Sequence, residues 1–407
     1  MKVNQEIASA ARQIEEKSLA LNERMVQFLA DLIRIRSYTG QEKLAVERTL
    51  QELKTVGCDE VWMDTAGNAL GRIGNGRHLI LYDAHLDTNE VTDEREWRHP
   101  PLEPVIESGV LYGLGASDCK GGVAPIVYSA AILKELGLVD DFTLIIMGAT
   151  LEEDAEGFAL RSLVERDGLR PHVVLIAEAS DLTLRIGQRG RCEVRVRTLG
   201  KAAHASQPEL GENAIIKMAP ILMALDGMCK NLPQHPVFGQ DNQVVSLING
   251  PHTPNSVPSW CEIAIDRRIG PGETMETILA EIRSVVGPLG GEAYIPDQPV
   301  LTHTGQRLDG PSFYPGWLLS EDSPLLEIGK ETYRSLWSSQ PEVGVWRFST
   351  DGTYSAGVAN IPTLGFGPQE AQYVHTPEDQ INLEKMRKAA MFYALFPLVY
   401  VAMNKNH

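Results

Sequence analysis

The chain has 407 residues, 43% of them apolar, and a formal net charge of −17. That length fits roughly two domains, and the acidity excludes a chain built to bind nucleic acid or an anionic membrane surface. The five cysteines, Cys58, Cys119, Cys192, Cys229 and Cys261, are scattered and never in Cys-x-x-Cys spacing, which suits reduced thiols in a cytoplasmic protein without a thiolate zinc site. The first residues carry no apolar signal-peptide core. The longest charge-free apolar stretch, 389–403, is short for a membrane span and holds Pro397, so a buried C-terminal helix is expected.

In chain order, Met25, Phe28, Leu29, Leu32 and Ile33 recur at helical spacing and predict a long first helix. A second helix is expected over 41–55, then short strands at 60–63 and 69–73 around Gly67-Asn68. Leu79 to Tyr82 is an unbroken apolar run, as in a parallel strand covered on both faces. It delivers His85 and Asp87 at its C-terminal end, where open α/β sheets place their chemistry. His85 can ligate a metal through one ring nitrogen while Asp87 accepts from the other. On this segment alone, a core histidine bonded to a neighbouring carboxylate fits equally well.

Gly113, Gly115, Gly121 and Gly122 surround Asp118. This is not a dinucleotide loop, because Asp118 sits where a phosphate would be repelled. The helix that follows, to about Leu136, is apolar on most sides. A strand over 142–149 leads to Glu152-Glu153-Asp154, and another over 172–177 leads to Glu178. Buried strands alternating with helices predict a three-layer α/β domain.

After Ile186 the pattern changes. Cys192, Val194 and Val196 alternate with charged residues, so this strand has one wet face. The predicted order, strand, helix 213–228, strands 243–248 and 259–268, helix 273–286 and strand 292–295, is the split ferredoxin-like unit. Expected borders are 1–186 for the first part of the catalytic domain, 187–297 for an inserted ferredoxin-like lid, and 298–407 for the second part. The last part should hold a helix at 323–336, a polar loop at 348–353, a strand at 363–366 and a final helix from about residue 382, with His375 between strand and helix.

His85, Asp118, Glu153, Glu178 and His375 form an N/O donor set suited to zinc or another borderline divalent ion. Five donors plus neighbouring carboxylates exceed what one cation needs. They fit two, roughly 3.5–4 Å apart, if one carboxylate bridges. Without cations so many carboxylates could not all ionise.

These motifs resemble a known family. Asp83-Ala-His-Leu-Asp87, Gly113 to Gly122 around Asp118, the Glu152-Glu153 pair and the late His375 are similar to those of the binuclear zinc metallopeptidases that include acetylornithine deacetylase, succinyl-diaminopimelate desuccinylase and aminoacylase. Gly187-Gln-Arg-Gly190, Ala203-His-Ala-Ser206 and Trp346-Arg-Phe-Ser-Thr350 look most like its YgeY-type hydrolases. The resemblance implies that His85 and Glu178 hold one ion, Glu153 and His375 the other, and that Asp118 bridges. The ions would be Zn2+, with Co2+ or Mn2+ as alternatives. It further implies Glu152 as general base, Asp87 orienting His85, a cis Asp118–Cys119 peptide, and a lid that also forms a homodimer. His204 would come from the lid, in cis or from a partner subunit, to stabilise an oxyanion. Arg268, with Asn255 nearby, would bind a substrate carboxylate, and the loop with Thr350 and Gly352 would touch substrate. That loop departs from the glycine-rich desuccinylase version. The expected reaction is hydrolysis of a small N-acyl amino acid. A dipeptidase or carboxypeptidase, a carbamoyl-amino-acid hydrolase, and a silent ligand-binding homologue are the alternatives. None of the ligands or Glu152 is lost, which argues against the last.

Overall fold

The computed structural model describes residues 2–404. Its large sheet runs in the order Glu60–Met63, Ala69–Ile73, Phe142–Ala149, His78–His85, Val173–Ile176, Thr363–Gly365, Leu184–Gln188 and Trp317–Leu318, with Val343–Trp346 also pairing Leu184–Gln188. The four central strands, from Phe142–Ala149 to Thr363–Gly365, are parallel. Their apolar residues are buried on both faces, which is why the sequence shows runs rather than alternation.

Helices Lys2–Arg34, Lys120–Leu136 and Leu383–Asn404 cover one face. Phe158–Glu165, with Trp317, Trp346 and Tyr354, covers the other. This is the three-layer arrangement expected. Lys120–Leu136 is buried from Lys120 through Leu133. Its first turn packs so tightly that a Cβ on Gly121 would lie 2.1 Å from the Ala116 carbonyl oxygen, and one on Gly122 2.1 Å from that of Ala177. The glycines therefore seat the helix against the strand ends. Leu383–Asn404 is long and apolar enough by composition to cross a membrane, but 72% of its most apolar window is buried here. It is a core helix, with Phe366, Phe392 and Tyr393 packed ring against ring.

The inserted domain has the sheet order Asn242–Asn249, Trp260–Ile269, Gly190–Leu199, Gly291–Tyr294. Helices Ala214–Met228 and Met275–Val286 pack on one face, over Cys192, Val194, Val196, Cys261, Ile263 and Ile265. This is the ferredoxin-like pattern. The chain changes sheets at Arg189, between Gln188 and Gly190. Its return is less direct than a border at 298 suggests. Val300 and Leu308 pack on Leu151 and Phe158 of the catalytic domain. Phe313–Tyr314 then pairs once more with Cys192 and Arg191 of the lid, and Trp317–Leu318 rejoins the large sheet. Two-residue strands carry no periodic signal, so this second crossing has no sequence signature.

Candidate metal centre

Parallel register brings the site together. His85 pairs with Ala149, and Asp83 with Ile176, so Glu152 and Glu178 leave their strands beside His85. His85 Nε2 lies 3.1 Å from Asp118 Oδ1, 3.2 Å from Glu178 Oε1 and 3.8 Å from Glu152 Oε2. His375 Nε2 lies 2.8 Å from Asp118 Oδ2 and 3.0 Å from Glu153 Oε2. Each oxygen of Asp118 thus faces a different histidine. His375 has a positive φ of 56°, and so does Leu151, at 67°, just before the glutamate pair. Left-handed backbone at non-glycine residues is costly and collects at functional sites. The peptide between Asp118 and Cys119 is cis.

Asp87 reaches both His85 and the glutamate pair. The closest partner of His85 Nδ1 is the Asp87 carbonyl oxygen, at 3.0 Å, with the carboxylate Oδ1 at 3.5 Å. The fully buried carboxylate also accepts from the backbone N–H groups of Glu152 (3.2 Å) and Glu153 (3.1 Å) and from the Thr39 hydroxyl (2.9 Å). It therefore fixes the glutamate pair as much as the imidazole.

Two supporting residues had no sequence signal. Asp379, buried, accepts from Gly115 N–H, Ser117 N–H and the Ser117 hydroxyl, and so holds the loop that presents Asp118. Asn89 donates its side-chain amide to Glu153 Oε2 at 2.9 Å and lies 2.8 Å from His375 Nε2. A lone Asp or Asn in a polar loop reads as a turn residue, and only the fold brings these two to the cluster.

Charges in the cluster are strongly coupled. Burial alone would pull His85 down, but hydrogen bonds to Asp118 and Asp87 and the charge of Glu152 hold it well above the usual imidazole value. Hydrogen bonds to Asp118 and Glu153 push His375 up to about 10. Burial would raise Asp118, yet its bonds to His375 and His85 hold it below the usual carboxylate range. Glu153 is pushed up to about 7 by burial and then by the charge of Asp118. Burial raises Glu152 well above its ordinary value, against the charge of His85. Unsatisfied carboxylates crowded on two imidazoles are what a divalent cation would relieve. Ligand atoms of His85, Asp118 and Glu153 lie within 4.8 Å of one another, as do those of His85, Cys119 and Glu178. The buried Glu153 Oε1 has no hydrogen-bond partner. The residues therefore fit a metal. Cys119 donates its thiol to the Ala177 carbonyl at 3.2 Å, and the other donors are nitrogen and oxygen.

The expected substrate residues are more dispersed. Trp260–Ile269 keeps its alternation to the end: Arg267 is buried with Ile263 and Ile265, and Arg268 continues the opposite face with Ala264 and Asp266. Arg268 forms a two-pronged pair with Asp266, at 2.8 and 3.2 Å. Asn255 is not near it, contrary to expectation. Asn255 accepts from Ala205 N–H at 2.9 Å and adjoins the His204–Ser256 bridge. That bridge precedes Trp260, so about 26 Å of extended strand lies between it and Arg268. His204 is exposed, with Nδ1 2.7 Å from the Ser206 hydroxyl. Thr350 is buried, its hydroxyl donating to Gln188 Oε1 at 2.6 Å and accepting from Gly352 N–H at 3.1 Å. A Cβ on Gly352 would lie 2.5 Å from Trp317 Nε1. These two residues shape the loop and offer substrate no free polar group.

Residues 81–398 match the model of peptidase family M20/M25/M40. The uncharacterized protein YgeY of Escherichia coli (strain K12) is 35% identical over 394 residues, covering 96% of this chain and 97% of that protein. Acetylornithine deacetylase of Vibrio atlanticus (strain LGP32) is 28% identical over 353 residues, covering 85% and 88%. Among solved structures, an M20 family metallo-carboxypeptidase from Sulfolobus solfataricus superposes with a TM-score of 0.73 at 16% identity, covering 92% of this chain and 99% of that one.

Proposed function

Because the chain belongs to peptidase family M20/M25/M40 and carries an intact N/O cluster, we propose that this metal-dependent hydrolase uses two divalent ions to cleave the amide bond of a small N-acyl amino acid. The observation that carries the reading is Asp118, whose two oxygens face His85 and His375 separately. His85 and Glu178 would hold one ion, Glu153 and His375 the other, and Asp118 both. Zinc suits these donors, with cobalt or manganese as alternatives. Such a pair supplies the positive charge that polarises an amide carbonyl and acidifies water.

The chain's own groups do the rest. Glu152 is buried and has a raised proton affinity, so it can take a proton from water and return it to the leaving nitrogen. Asp87 keeps Glu152 and Glu153 in place through their backbone N–H groups. Arg268 would exchange Asp266 for the substrate carboxylate in a two-pronged pair. His204 and Asn255 lie too far along the lid to meet Arg268 on one small substrate. We therefore assign them to the site of a partner subunit in a homodimer formed through the lid, where His204 would stabilise the oxyanion. Support comes from the edge strand Asn242–Asn249, where Val244, Leu247 and Ile248 are exposed, and from the exposed Ile216 and Met223 of the lid helix Ala214–Met228.

The experiment is metal analysis of protein purified without chelator, followed by a panel of N-acyl amino acids, dipeptides and carbamoyl amino acids, each beside its neutral amide. Free acids should react about ten- to a hundred-fold faster than amides, as one charge-assisted pair provides. Amides cleaved as fast as acids would remove Arg268 from recognition and overturn the substrate class.

A further inference from the structure

Three polar groups crowd one ring nitrogen. Around His375 Nε2 lie Asp118 Oδ2 at 2.8 Å, Glu153 Oε2 at 3.0 Å and the side-chain Nδ2 of Asn89 at 2.8 Å. Asn89 Nδ2 is also 2.9 Å from Glu153 Oε2. An imidazole nitrogen offers either one proton or one lone pair. A proton there serves the two carboxylate oxygens and opposes the amide N–H groups. A lone pair there serves the amide and faces the two oxygens. A half-turn of the amide exchanges its nitrogen and oxygen, and then Oδ1 lies against Glu153 Oε2. With Asp118 and Glu153 ionised, no placement of protons satisfies every contact. A divalent cation does, because ring nitrogen, carboxylate oxygen and amide oxygen can all turn lone pairs towards it. Donors bound at about 2.0–2.2 Å lie roughly 3 Å from one another, which is the spacing of the Asn89 amide from His375 and Glu153. The backbone beside Asn89 is fixed: Thr88 is 1% exposed, donates its N–H to the Ser37 carbonyl at 3.0 Å and pairs with Tyr38. Asn89 lines the same cavity, of about 410 Å³, as Asp118, Glu153 and His375.

We propose that Asn89 is itself a metal ligand, its Oδ1 turned to the ion that Glu153 and His375 hold. The proposal rests on the two-ion reading above and adds a donor to it. The two ions then differ in their protein donors. His85, Glu178 and Asp118 serve one; Asp118, Glu153, His375 and Asn89 serve the other. The added oxygen is neutral, so it strengthens the second position without another negative charge in a cluster already crowded with carboxylates. A merely indirect role predicts something else. If Asn89 only oriented Glu153 through its N–H groups, Asn89→Asp would set one carboxylate against another and bind the ion worse than Asn89→Ala. As an oxygen ligand, Asn89→Asp keeps the donor that Asn89→Ala removes.

The test is calorimetric titration of the metal-free full-length protein with Zn2+, for wild type, Asn89→Ala and Asn89→Asp, together with a crystal structure of the zinc-loaded wild type. Asn89 is exposed, so neither substitution should lower the Tm of the metal-free protein. Wild type should bind two ions. Asn89→Ala should weaken one of them about ten-fold or more, since losing even an indirect partner of a ligand costs about 10- to 100-fold, and should leave the other unchanged. Asn89→Asp should bind the affected ion more tightly than Asn89→Ala does. In the crystal, a terminal side-chain atom of Asn89 should lie about 2.0–2.2 Å from the ion that touches Glu153 and His375. No weakening in Asn89→Ala, an Asn89→Asp variant that binds no more tightly than Asn89→Ala, or an Asn89 side chain that does not touch the ion overturns the inference while leaving the two-ion hydrolase standing. Wild type that takes up one ion or none overturns the two-ion reading itself, and this inference with it.

Discussion

Glu152 and Glu153 are adjacent in sequence and have different surroundings. Glu153 contacts His375 and Asn89, whereas Glu152 Oε2 comes no closer than 3.8 Å to His85. Glu152→Ala should therefore abolish turnover with metal content near that of wild type, and Glu153→Ala should lower metal content too. Equal metal loss in both variants would mean that the two roles are wrongly divided. The histidines set a pH dependence. In the metal-free protein His375, pushed up to about 10, holds a proton at neutral pH, and Glu153, pushed up to about 7, is half protonated. A ligand nitrogen must lose its proton before it can bind, so metal binding releases protons and weakens as pH falls. Calorimetry in buffers of different ionisation enthalpy should show net proton release at pH 7 and a higher Kd at pH 6 than at pH 8. A Kd flat across that range would contradict the charge assignment.

The loop before helix Lys120–Leu136 depends on one distant residue. Asp379 lies past the Val173–Ile176 and Thr363–Gly365 strands in sequence, yet its carboxylate takes three donors from Gly115 and Ser117. Strand Gln380–Asn382 pairs with Val110–Tyr112 and brings it there. Asp379→Ala would leave those buried donors unpaired, at about 1–3 kcal/mol for each that water cannot reach. The expected result is a lower Tm together with weaker metal binding, because the same loop presents Asp118. A variant that melts early but binds metal as tightly as wild type would show that the loop does not set the site. Asp379→Asn, which keeps an acceptor, should lose less on both measures.

At the scale of the molecule, one lid carries two sets of residues that a single small substrate cannot reach together. Arg268 lies at the hinge end of its strand and His204 beyond the other end. If His204 serves the partner's site, mixed dimers of His204→Ala and Glu152→Ala subunits regain activity, since one of their sites has an intact Glu152 and an intact His204. Each variant alone should be inactive or slowed on the order of 10²–10³-fold, as for loss of an oxyanion donor. No recovery in mixtures shown by native mass spectrometry to hold mixed dimers would place His204 in cis or outside the mechanism.

By itself the sequence determined the fold class and named the side chains that could serve as donors. Those properties are local: a run of buried residues such as Leu79–Tyr82, or the alternation from Cys192 to Val196, states how many faces of a strand are covered. The motifs around His85, Asp118 and Glu152 are short and carry their chemistry in residue type. Tertiary structure alone decided which oxygen faces which histidine, that Asp87 holds the glutamate pair, that Asp379 and Asn89 belong to the site, and that Thr350 is buried against Gln188. It also separated Asn255 from Arg268, which a reading along the chain had put together. The reason is physical. Hydrogen bonds between Asp379 and Gly115, or Asn89 and His375, join residues more than 260 positions apart, and nothing in either local sequence differs from an ordinary loop until strand pairing brings the two together.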